Sequence, residues 1–576
     1  MTVVPILGGM ASHADKPWLD SYTEWTAPNL DYGTATVTQF YTDNIAANGS
    51  KTATRFFGRA MTYAELDSEV RRSAAGLASF GVKAGDRVAI MLPNCPQHVV
   101  AFYAAQLLGA VVVEHNPLYT ADELRPQFAD HGARVAIVWD KVAGTVNELR
   151  DDTDVTTVIS VDMTRAMPLP LRLALRLPLK RLRETRAELT APATSTVPWE
   201  TLVGSALANN AEQLTPAEVS PDTPALILYT SGTTGRPKGA VLTHANLCAN
   251  VIQGIAWVKD FQDRDQRMVA TLPFFHSFGL TFSLTLPMKI GGEVILLPAP
   301  KIDLIMSAIK KHKPTFIPGV PTLFERIVAQ AKEEGVDMSC LNIGFSGAAS
   351  LPVAVIDEWE ALTGGRLVEG YGLTETSPIL IGNPESAERR PGYIGVPFPD
   401  TDIRIANPDN LDEDMPYGEA GEILARGPQV FGGYIDNPEA NEQAFHNGFF
   451  RTGDMGVMES DGFIKLVSRI KELIITGGFN VYPAEVEEVI RAHEDVEDVA
   501  VVGRPRPDGS EDVVACVTLT DGAKLDSEGL RAYAKKHLTA YKVPRTFYHF
   551  EELARDPMGK IRRREVQADL LAQLGG

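Results

Sequence analysis

The stretch of this sequence best suited to chemistry is a loop rich in glycine and hydroxyl side chains. Residues 229–239 read YTSGTTGRPKG and follow the apolar run 225–228. Glycines allow positive φ and close backbone approach, hydroxyls donate hydrogen bonds, and a lysine supplies a cation, so this composition predicts a phosphate cradle. The residues concerned are Thr230, Ser231, Gly232, Thr233, Thr234, Gly235, Lys238 and Gly239.

The loop does not have the Walker A pattern. A GxxxxGK[ST] match starting at Gly232 would require a glycine where Pro237 stands and Ser or Thr where Gly239 stands. The sequence AVL at 240–242 favours a strand rather than a helix. We therefore predict that the loop joins two strands and holds phosphates without a helix dipole. A plain Ser/Thr/Gly linker is the alternative, and Lys238 argues against it.

Elements that could position this loop alternate along the chain, which is the pattern of an α/β fold. Helix, strand, helix and strand are predicted in turn at 74–80, 87–92, 96–108 and 110–113. Continuous apolar runs are typical of strands buried on both faces of a largely parallel sheet, and they occur at 135–138, 226–228 and 294–297.

The pattern changes near residue 470. Beyond this point, helices are predicted over 485–493 and 530–538, and strands over 496–502 and 513–519. About a hundred residues is enough for a small domain. We therefore predict a large N-terminal domain (1–470) of mixed and parallel sheets flanked by helices, and a small α+β C-terminal domain (471–576).

Composition excludes several classes of protein. The 576 residues carry a formal net charge of −20, which argues against a nucleic-acid surface. The four cysteines are far apart and form no CxxC pair, so neither a disulfide framework nor a zinc site is expected. The first cation is Lys16, and the longest apolar stretch, 99–113, is shorter than a membrane span. These features predict a cytoplasmic protein.

Further motifs make the sequence similar to a known superfamily. YTSGTTGRPKGAVLTH (229–244) resembles the signature loop of the adenylate-forming acyl-CoA synthetases, which include firefly luciferase and peptide-synthetase adenylation domains. The family's other motifs follow in order: LPFFHSFGL (272–280), SGAASLP (346–352), EGYGLTET (369–376), GEILARGP (421–428), FFRTGDMG (449–456), SRIKELIITGGFNVYPAEVE (468–487) and MGKIRRR (558–564). NPLYTADEL (116–124) resembles the bacterial long-chain fatty-acid–CoA ligases more than the acetyl or aryl branches.

The resemblance implies a reaction in two halves. A carboxylate attacks the α-phosphate of ATP to give acyl-adenylate and pyrophosphate, and the thiol of coenzyme A then attacks the acyl carbonyl. The implied substrates are a medium- or long-chain fatty acid, ATP and coenzyme A, with Mg²⁺ as cofactor. Because the first half brings an anion toward a polyanion, it needs cations and donors where charge accumulates.

The same resemblance assigns catalytic roles. Lys560 is implied to be the adenylation lysine that bridges the carboxylate and the α-phosphate, although the family's upstream proline and threonine are absent from LARD at 553–556. Glu375 is implied to bind Mg²⁺ with the help of Thr230. Lys471 is implied to be the hinge about which a mobile C-terminal domain rotates between the two halves.

Nucleotide contacts are implied as well. Asp454, expected in a turn after Gly453, and Arg469 would hold the ribose, while an Asx turn is the alternative for the aspartate. Tyr371 would lie against adenine and Thr374 would donate to the phosphate. The small residues Gly347, Ala348 and Ala349 would leave room for the base. The remaining members of the implied set are Glu369, Gly370 and Gly372.

The acceptor and the acyl chain have their own candidate residues. Gly477, Gly478 and Asn480 are implied to line the coenzyme A path. His276 is implied to lie beside the substrate carboxylate, without a proton-transfer role. The acyl pocket is predicted from small or apolar residues near the motifs, namely Gly279, Leu280, Gly347, Gly370, Pro378 and Ile379.

A basic insertion over about 163–190 stands out in this acidic chain. Within it, 168–183 read PLPLRLALRLPLKRLR, and 165–186 hold seven basic residues and one acid. As an extended segment the leucines share one face, whereas leucines spaced by two would point all round a helix. Two interpretations stay open: an edge strand, and a surface that contacts an anionic membrane on the inner face of the cell.

Other functions fit parts of the pattern. A fatty acyl-AMP ligase or another carboxylic-acid–CoA ligase would share the first half-reaction, and an amino-acid adenylation enzyme or a luciferase-type oxidase is less favoured. An inactive lipid-binding paralogue is the non-enzyme alternative. The retained polar set argues against it, namely Lys238, Glu375, Asp454, Arg469 and Lys560. The sequence also leaves a homodimer open.

Overall fold

The computed structural model describes residues 15–204, 211, 214–230, 237–263, 265–349, 351–469, 472, 474–476, 479–506, 511–556 and 559–575. The chain forms two compact units. One contains the described residues of Met1–Asp20, Asp402–Ala425 and Phe449–Gly576, and the other contains Ser21–Thr401 and Arg426–Gly448. We call them the discontinuous unit and the large unit.

The α-helices of the large unit are α1 (Val37–Asn48), α2 (Tyr63–Ser79), α3 (Pro96–Leu107), α4 (Ala121–His131), α5 (Ala143–Asn147), α6 (Leu169–Ala174), α7 (Lys180–Leu189), α8 (Trp199–Val203), α9 (His244–Trp257), α10 (Asp260–Asp263), α11 (Ser277–Leu280), α12 (Leu286–Ile290), α13 (Ile302–His312), α14 (Pro321–Glu334), α15 (Val353–Thr363) and α16 (Pro438–Ala444). Those of the discontinuous unit are α17 (Pro483–Arg491), α18 (Ser527–His537) and α19 (Arg563–Gly575).

The strands, in chain order, are β1 (Thr52–Phe56), β2 (Arg59–Thr62), β3 (Arg87–Met91), β4 (Val111–Glu114), β5 (Val135–Trp139), β6 (Thr157–Val161), β7 (Val197–Pro198), β8 (Pro224–Thr230), β9 (Lys238–Thr243), β10 (Arg267–Ala270), β11 (Glu293–Leu296), β12 (Phe316–Gly319), β13 (Ile343–Ser346), β14 (Arg366–Gly372), β15 (Ile379–Gly382), β16 (Val396–Pro397), β17 (Asp402–Asn407), β18 (Asn410–Asp414), β19 (Ala420–Arg426), β20 (Phe445–His446), β21 (Phe449–Met458), β22 (Ile464–Arg469), β23 (Ile474–Thr476), β24 (Phe479–Val481), β25 (Val496–Pro505), β26 (Glu511–Leu519) and β27 (Thr546–His549).

Two extended sheets organise the large unit. One has the order β16-β15-β14-β13-β12-β10-β11-β1-β2, and the other has the order β7-β6-β5-β3-β4-β8-β9. Their inner strands are parallel, as in the pairings of β13 with β14 and of β3 with β4, whereas β15 and β9 join antiparallel at the ends of these runs. This arrangement confirms the predicted α/β class with mixed and parallel sheets.

Helices cover the first of these sheets and form its core. Ile305 and Ile309 on α13, Phe324 and Ile327 on α14, and Trp359 on α15 are buried in one cluster. Buried apolar area of this size is the main source of folding free energy. The cluster fixes the ends of β12, β13 and β14, where most of the predicted adenine and acyl residues lie.

Capping boxes fix where several helices begin. The Thr62 hydroxyl accepts from the Glu65 N–H at the start of α2, and the Glu65 carboxylate accepts from the Thr62 N–H. The same reciprocal pair joins Thr243 and Asn246 at the start of α9. Each cap satisfies two backbone donors that a helix N-terminus would otherwise leave free. Because Thr243 also ends β9, this cap sets the position of the phosphate hairpin.

The discontinuous unit contains strands of two larger sheets. One has β18-β17-β19-β21 in order, with β22 paired to β21, and another has β25-β26-β27. The helices α17 and α18 pack on one face of β25 and β26, and α19 packs on the other through Val566 and Leu570. The unit takes in 402–425 and 449–469 besides the predicted C-terminal domain. The boundary after residue 470 therefore stays a prediction.

The basic insertion is helical, so the edge-strand interpretation was wrong. It folds as α6 and α7. Leucines that recur every two residues also recur every four, which is about one helical turn. Leu169 and Leu173 therefore lie on one exposed face of the helix, while Leu175 is buried. Pro170 lies in the first turn of α6, where a missing N–H costs no helix hydrogen bond. Within the described ranges, no helix combines the length and apolar character needed to cross a bilayer.

Candidate active site

The phosphate loop connects two antiparallel strands, as predicted. β8 and β9 pair with Thr230 opposite Lys238 and Tyr229 opposite Gly239. β8 in turn pairs with β4 in parallel, so the hairpin extends from a buried sheet. The loop residues themselves lie outside the described part of the chain: Ser231, Gly232, Thr233, Thr234 and Gly235.

A segment from a distant part of the sequence lies along the outer edge of β9. The Ile435 N–H donates to the Gly239 carbonyl at 2.8 Å, and the Val241 N–H donates to the Gly433 carbonyl at 3.1 Å. A Cβ added at Gly239 would lie 2.7 Å from Ile435 Cγ2. Packing against this segment therefore requires the last glycine of the motif.

The segment contributes a tyrosine that joins the two main motifs. Lys238 Nζ lies 5.1 Å from the centre of the Tyr434 ring, a cation–π contact. The Tyr434 hydroxyl donates to Glu375 Oε1 at 2.8 Å. Burial, together with the Glu375 carboxylate, raises the pKa of Tyr434 well above its usual range. The phenol therefore stays protonated and holds the carboxylate beside the hairpin.

The donors near this contact suit a hard cation. Glu375 lies in the turn Thr374–Thr376 and is buried, and its carbonyl accepts from the Phe431 N–H at 2.8 Å. Thr230 Oγ1 donates to the Lys238 carbonyl at 3.4 Å. Carboxylate and hydroxyl oxygens are the ligands that Mg²⁺ prefers, so Glu375 and Thr230 fit the predicted ion.

The predicted adenine and acyl residues meet at the ends of β13 and β14. A Cβ at Gly370 would lie 2.5 Å from the Phe345 ring and 3.5 Å from Ile379 Cδ1, and one at Gly347 would lie 2.9 Å from the Phe278 ring. Gly347 and Gly370 are therefore in contact with the protein's own aromatic rings. No local sequence pattern marks Phe278 and Phe345 as site residues, because their neighbours come from strands distant in sequence.

The turn beside these strands has an unusual backbone. Ala348 and Ser377 both have left-handed φ, at 70° and 68°, a conformation that costs free energy for residues other than glycine and that clusters at functional sites. Ala348 and Ala349 are exposed, whereas Tyr371 is buried. A Cβ at Gly372 would lie 1.8 Å from the Pro378 carbonyl oxygen, so only glycine fits there.

Glu369 is a buried acid one residue before these glycines. Its Oε2 accepts a long bond of 3.4 Å from the Leu351 N–H. Burial raises the pKa of Glu369 to about 8, and the Leu351 bond offsets only part of this shift. The side chain is therefore neutral at pH 7, so it adds no negative charge near the place predicted for a nucleotide.

His276 caps the short helix that follows the FFH motif. Its Nδ1 accepts from the Phe278 N–H at 3.3 Å. A Cβ at Gly279 would lie 2.1 Å from the Pro273 carbonyl oxygen, so the chain folds back tightly here. The helix continues from Leu280, which is buried, into a π-helical turn over Thr281–Thr285. Such turns are frequent at functional sites.

Pro378 and Ile379, the remaining residues of the predicted acyl set, are held by polar side chains from α9 and the π-helical turn. The Thr281 hydroxyl donates to the Ser377 carbonyl at 2.9 Å, and Asn250 both donates to and accepts from the Ile379 backbone. Both residues are buried. The described structure therefore brings both Gly347 and Ile379 next to Gly370.

The discontinuous unit carries the predicted ribose pair. Asp454 on β21 and Arg469 on β22 are cross-strand partners. Asp454 lies within a strand rather than in the predicted turn, because a bulge absorbs the positive φ of Gly453. The Asp454 N–H donates to the Thr452 hydroxyl at 3.1 Å. The side chain of Arg469 is outside the described structure.

Lys560 lies in a tight loop that its own neighbours stabilise. The Lys560 N–H donates to Asp556 Oδ1 at 2.9 Å, and the Arg555 guanidinium donates to the Gly559 carbonyl at 2.8 Å. Gly559 has a φ of 81°. Arg555 and Asp556 belong to the LARD stretch, where the sequence departs from the family pattern, and they hold the loop that presents the lysine.

The remaining predicted residues are only partly described. Asn480 pairs with Ile475 in the β23–β24 hairpin, and the side chains of both are outside the description. Lys471, Gly477 and Gly478 also lie outside the described residues. Their roles stay predictions.

Comparison with known proteins gives consistent matches. Residues 41–435 match the family described as AMP-binding enzyme, and residues 485–560 match the AMP-binding enzyme C-terminal domain. A long-chain-fatty-acid–CoA ligase of Bacillus subtilis (strain 168) is 37% identical over 556 residues, or 96% of this chain and 98% of that protein. Its namesake from Yersinia pestis is 33% identical over 557 residues, with coverages of 96% and 98%. ATP-bound MatB from Rhodopseudomonas palustris is 28% identical, with a TM-score of 0.78 and coverages of 93% and 99%.

Proposed function

Since the chain belongs to the AMP-binding enzyme family, we propose that the Lys238–Tyr434–Glu375 contact holds ATP while the enzyme activates a fatty acid. The protein is an AMP-forming acid–CoA ligase that converts a fatty acid, ATP and coenzyme A into acyl-CoA, AMP and pyrophosphate. The contact supports this role because it fixes a cation and a carboxylate on either side of one half-buried phenol.

The charged and polar residues of the site have different roles in the first half-reaction. Lys238 supplies positive charge at the end of the hairpin, where phosphate charge would otherwise repel the incoming carboxylate. Glu375 and Thr230 would hold Mg²⁺, which neutralises phosphate charge when bound. Lys560, held by Asp556 in its loop, approaches the α-phosphate and the substrate carboxylate together.

The second half-reaction requires a different arrangement of the same chain. We infer that rotation about Lys471 withdraws Lys560 after adenylation and presents the segment with Gly477, Gly478 and Asn480 to coenzyme A. The support is the resemblance in sequence, which assigns the hinge to Lys471. Glycines at two successive positions leave the backbone bare for a pantetheine arm.

The ligase function is tested with a panel of carboxylic acids. Purified protein receives ATP, Mg²⁺, coenzyme A and one acid at a time, from octanoate to oleate and including an aryl acid, and pyrophosphate and thioester are measured separately. We expect both products with the fatty acids and little of either with the aryl acid. Pyrophosphate without thioester would instead indicate a fatty acyl-AMP ligase that serves a carrier protein.

We further propose that the enzyme works in the cytoplasm, against the inner face of the membrane. The support is the pair of helices α6 and α7, where Leu169, Leu173, Leu177 and Leu179 are at least half exposed beside arginines. Exposed leucine with basic side chains is the composition that binds anionic lipid surfaces. Sedimentation of the protein with phosphatidylglycerol vesicles tests the membrane contact. Light scattering of the purified protein without vesicles tests whether it forms a homodimer.

A further inference from the structure

Arginines make up four of the seven residues that line a cleft at the base of the two insertion helices. Its lining consists of Asp162, Thr164, Arg165, Arg172, Leu175, Arg176 and Arg186. The four guanidiniums come from the turn before α6, from α6 and its C-terminal end, and from α7. The fold therefore gathers cations that the sequence spreads over some twenty residues.

Local packing holds the walls of this cleft. Leu175 is buried beneath it, and the Trp139 indole donates to the Leu189 carbonyl at 2.9 Å at the far end of α7. Lys301 forms an ion pair with Glu188 at 2.8 Å. The Thr164 N–H donates to Asp162 Oδ1 at 2.9 Å, which fixes the turn at the cleft edge. Both ends of the helical pair are thus tied to the body of the large unit.

The charge inside the cleft is not balanced by the protein. Within the described part of the chain, Arg172, Arg176 and Arg186 form no ion pair, and Arg165 lies 3.6 Å from both Asp162 and Glu200. Three of the four guanidiniums that line the cleft therefore have no ion-pair partner among the described residues, in a chain whose net charge is −20. Guanidinium groups bind phosphate oxygens in pairs of parallel hydrogen bonds.

The surroundings of the cleft indicate where the phosphate comes from. Leu169 and Leu173 project from the exposed face of α6, and Leu177 and Leu179 follow in the connection to α7. A soluble anion would gain nothing from these leucines, whereas a lipid offers a phosphate and apolar chains at once.

We propose that the cleft lined by Arg165, Arg172, Arg176 and Arg186 binds the headgroup phosphate of an anionic phospholipid, while the adjacent leucines enter the acyl region. The inference rests on the proposed membrane contact and deepens it. It assigns a defined phosphate site rather than a diffuse positive surface.

The test compares two pairs of arginines that differ only in position. Arg172→Gln with Arg176→Gln removes two cleft cations. Arg181→Gln with Arg183→Gln removes two cations from α7 that do not line the cleft. Arg186→Gln adds an independent cleft variant on the second helix. Affinity is measured by sedimentation with vesicles of phosphatidylcholine containing one third phosphatidylglycerol.

The site predicts unequal losses. Two surface cations contribute about 1 kcal/mol each, so the Arg181/Arg183 pair loses about thirtyfold in affinity. The Arg172/Arg176 pair loses at least about tenfold more, because charge-assisted hydrogen bonds to phosphate are lost as well. Turnover of octanoate stays unchanged in both variants, which also reports that they are folded.

Four results would overturn the site. One such result is an equal loss of affinity from the two arginine pairs. Another is equal binding of the wild type to vesicles in which cholesteryl hemisuccinate supplies the same surface charge. Either result would show that the arginines act only through general electrostatic attraction, and the membrane contact itself would still stand. Displacement from the vesicles by inorganic phosphate, but not by chloride at equal ionic strength, would assign the cleft to a soluble anion. Failure of the wild type to bind any vesicle would remove the membrane contact itself, while the acid panel would still report the ligase.

Discussion

The phosphate hairpin and the basic insertion use cations in opposite ways. At the hairpin, Lys238 lies over Tyr434, whose hydroxyl is bonded to Glu375, so the cation and the carboxylate share one partner inside the protein. In the insertion, Arg172 and Arg176 have no carboxylate partner within the described residues. A charge held by internal contacts keeps its position for chemistry, whereas a charge without them is available to something outside the protein. The two regions can be separated by experiment.

The largest difference is expected between a cation of the catalytic set, Lys560, and a single cation of the insertion. Lys560→Ala should lower adenylation about a thousandfold, because the lysine stabilises charge that develops at the α-phosphate. Thioester formation from supplied acyl-adenylate should change by less than about threefold. Arg181→Ala, which removes one insertion cation, should change neither rate. Pyrophosphate release and thioester formation measure the two halves separately, and equal loss of both in Lys560→Ala would refute the hinge assignment.

Two single substitutions test the Lys238–Tyr434–Glu375 contact at the hairpin. Glu375→Gln keeps the shape but removes the charge, and we expect adenylation to fall about a hundredfold with a raised requirement for Mg²⁺. Tyr434→Phe removes only the hydroxyl that holds the carboxylate and should cost about tenfold. Initial rates over a Mg²⁺ titration measure both. An unchanged Mg²⁺ requirement in Glu375→Gln would contradict the metal assignment.

The insertion should respond in membrane binding and not in chemistry. Leu173→Ser with Leu177→Ser should weaken binding to phosphatidylglycerol vesicles about thirtyfold, because each half-exposed leucine contributes about 1 kcal/mol when buried in lipid. Leu118→Ser is the matched control, since Leu118 is also exposed but lies outside the insertion. Octanoate turnover should be unaffected in both the leucine double variant and the Leu118→Ser control. Equal binding of the leucine pair and the control would contradict a contact through α6.

A separate effect concerns stability rather than rate or binding, and it arises from a carboxyl that neither region uses as a charge. Burial raises the pKa of Glu369 from 4.5 to about 8, so the folded protein keeps a proton that the unfolded chain releases in this range. The free energy of unfolding should therefore fall as pH rises from about 4.5 to 8. Glu369→Gln cannot titrate and should lose this dependence, a difference of about 1.4 kcal/mol per pH unit. Urea unfolding at several pH values measures it, and parallel curves would show that Glu369 is ionised.

Much of the framework could be predicted because it depends on local pattern. The apolar runs at 135–138 and 226–228 lie in the buried parallel strands β5 and β8, and the turn residues between 229 and 239 connect a hairpin. Family membership followed from the order of the motifs. Each of these signals is contained in a short stretch of sequence.

What the sequence did not predict depends on contacts between distant residues. Tyr434 meets Glu375 because 433–435 pairs with β9, and no local pattern marks that tyrosine. The insertion was misread since alternate leucines suit a strand, while the four-residue spacing hidden in them suits a short helix with one exposed face. Asp454 was placed in a turn because Gly453 is a turn residue, although a bulged strand accepts it equally well.

The segments of the discontinuous unit are synthesised at widely separated times. Trp18 packs against Gly462, where an added Cβ would lie 2.5 Å from Trp18 Cβ. A ribosome adds roughly 5–20 residues per second, so Gly462 is synthesised tens of seconds after Trp18. The strands β17 to β19 likewise emerge before β21, on which β19 pairs. The unit that holds Lys560 therefore cannot complete its fold until β21 and the turn at Gly462 have been synthesised.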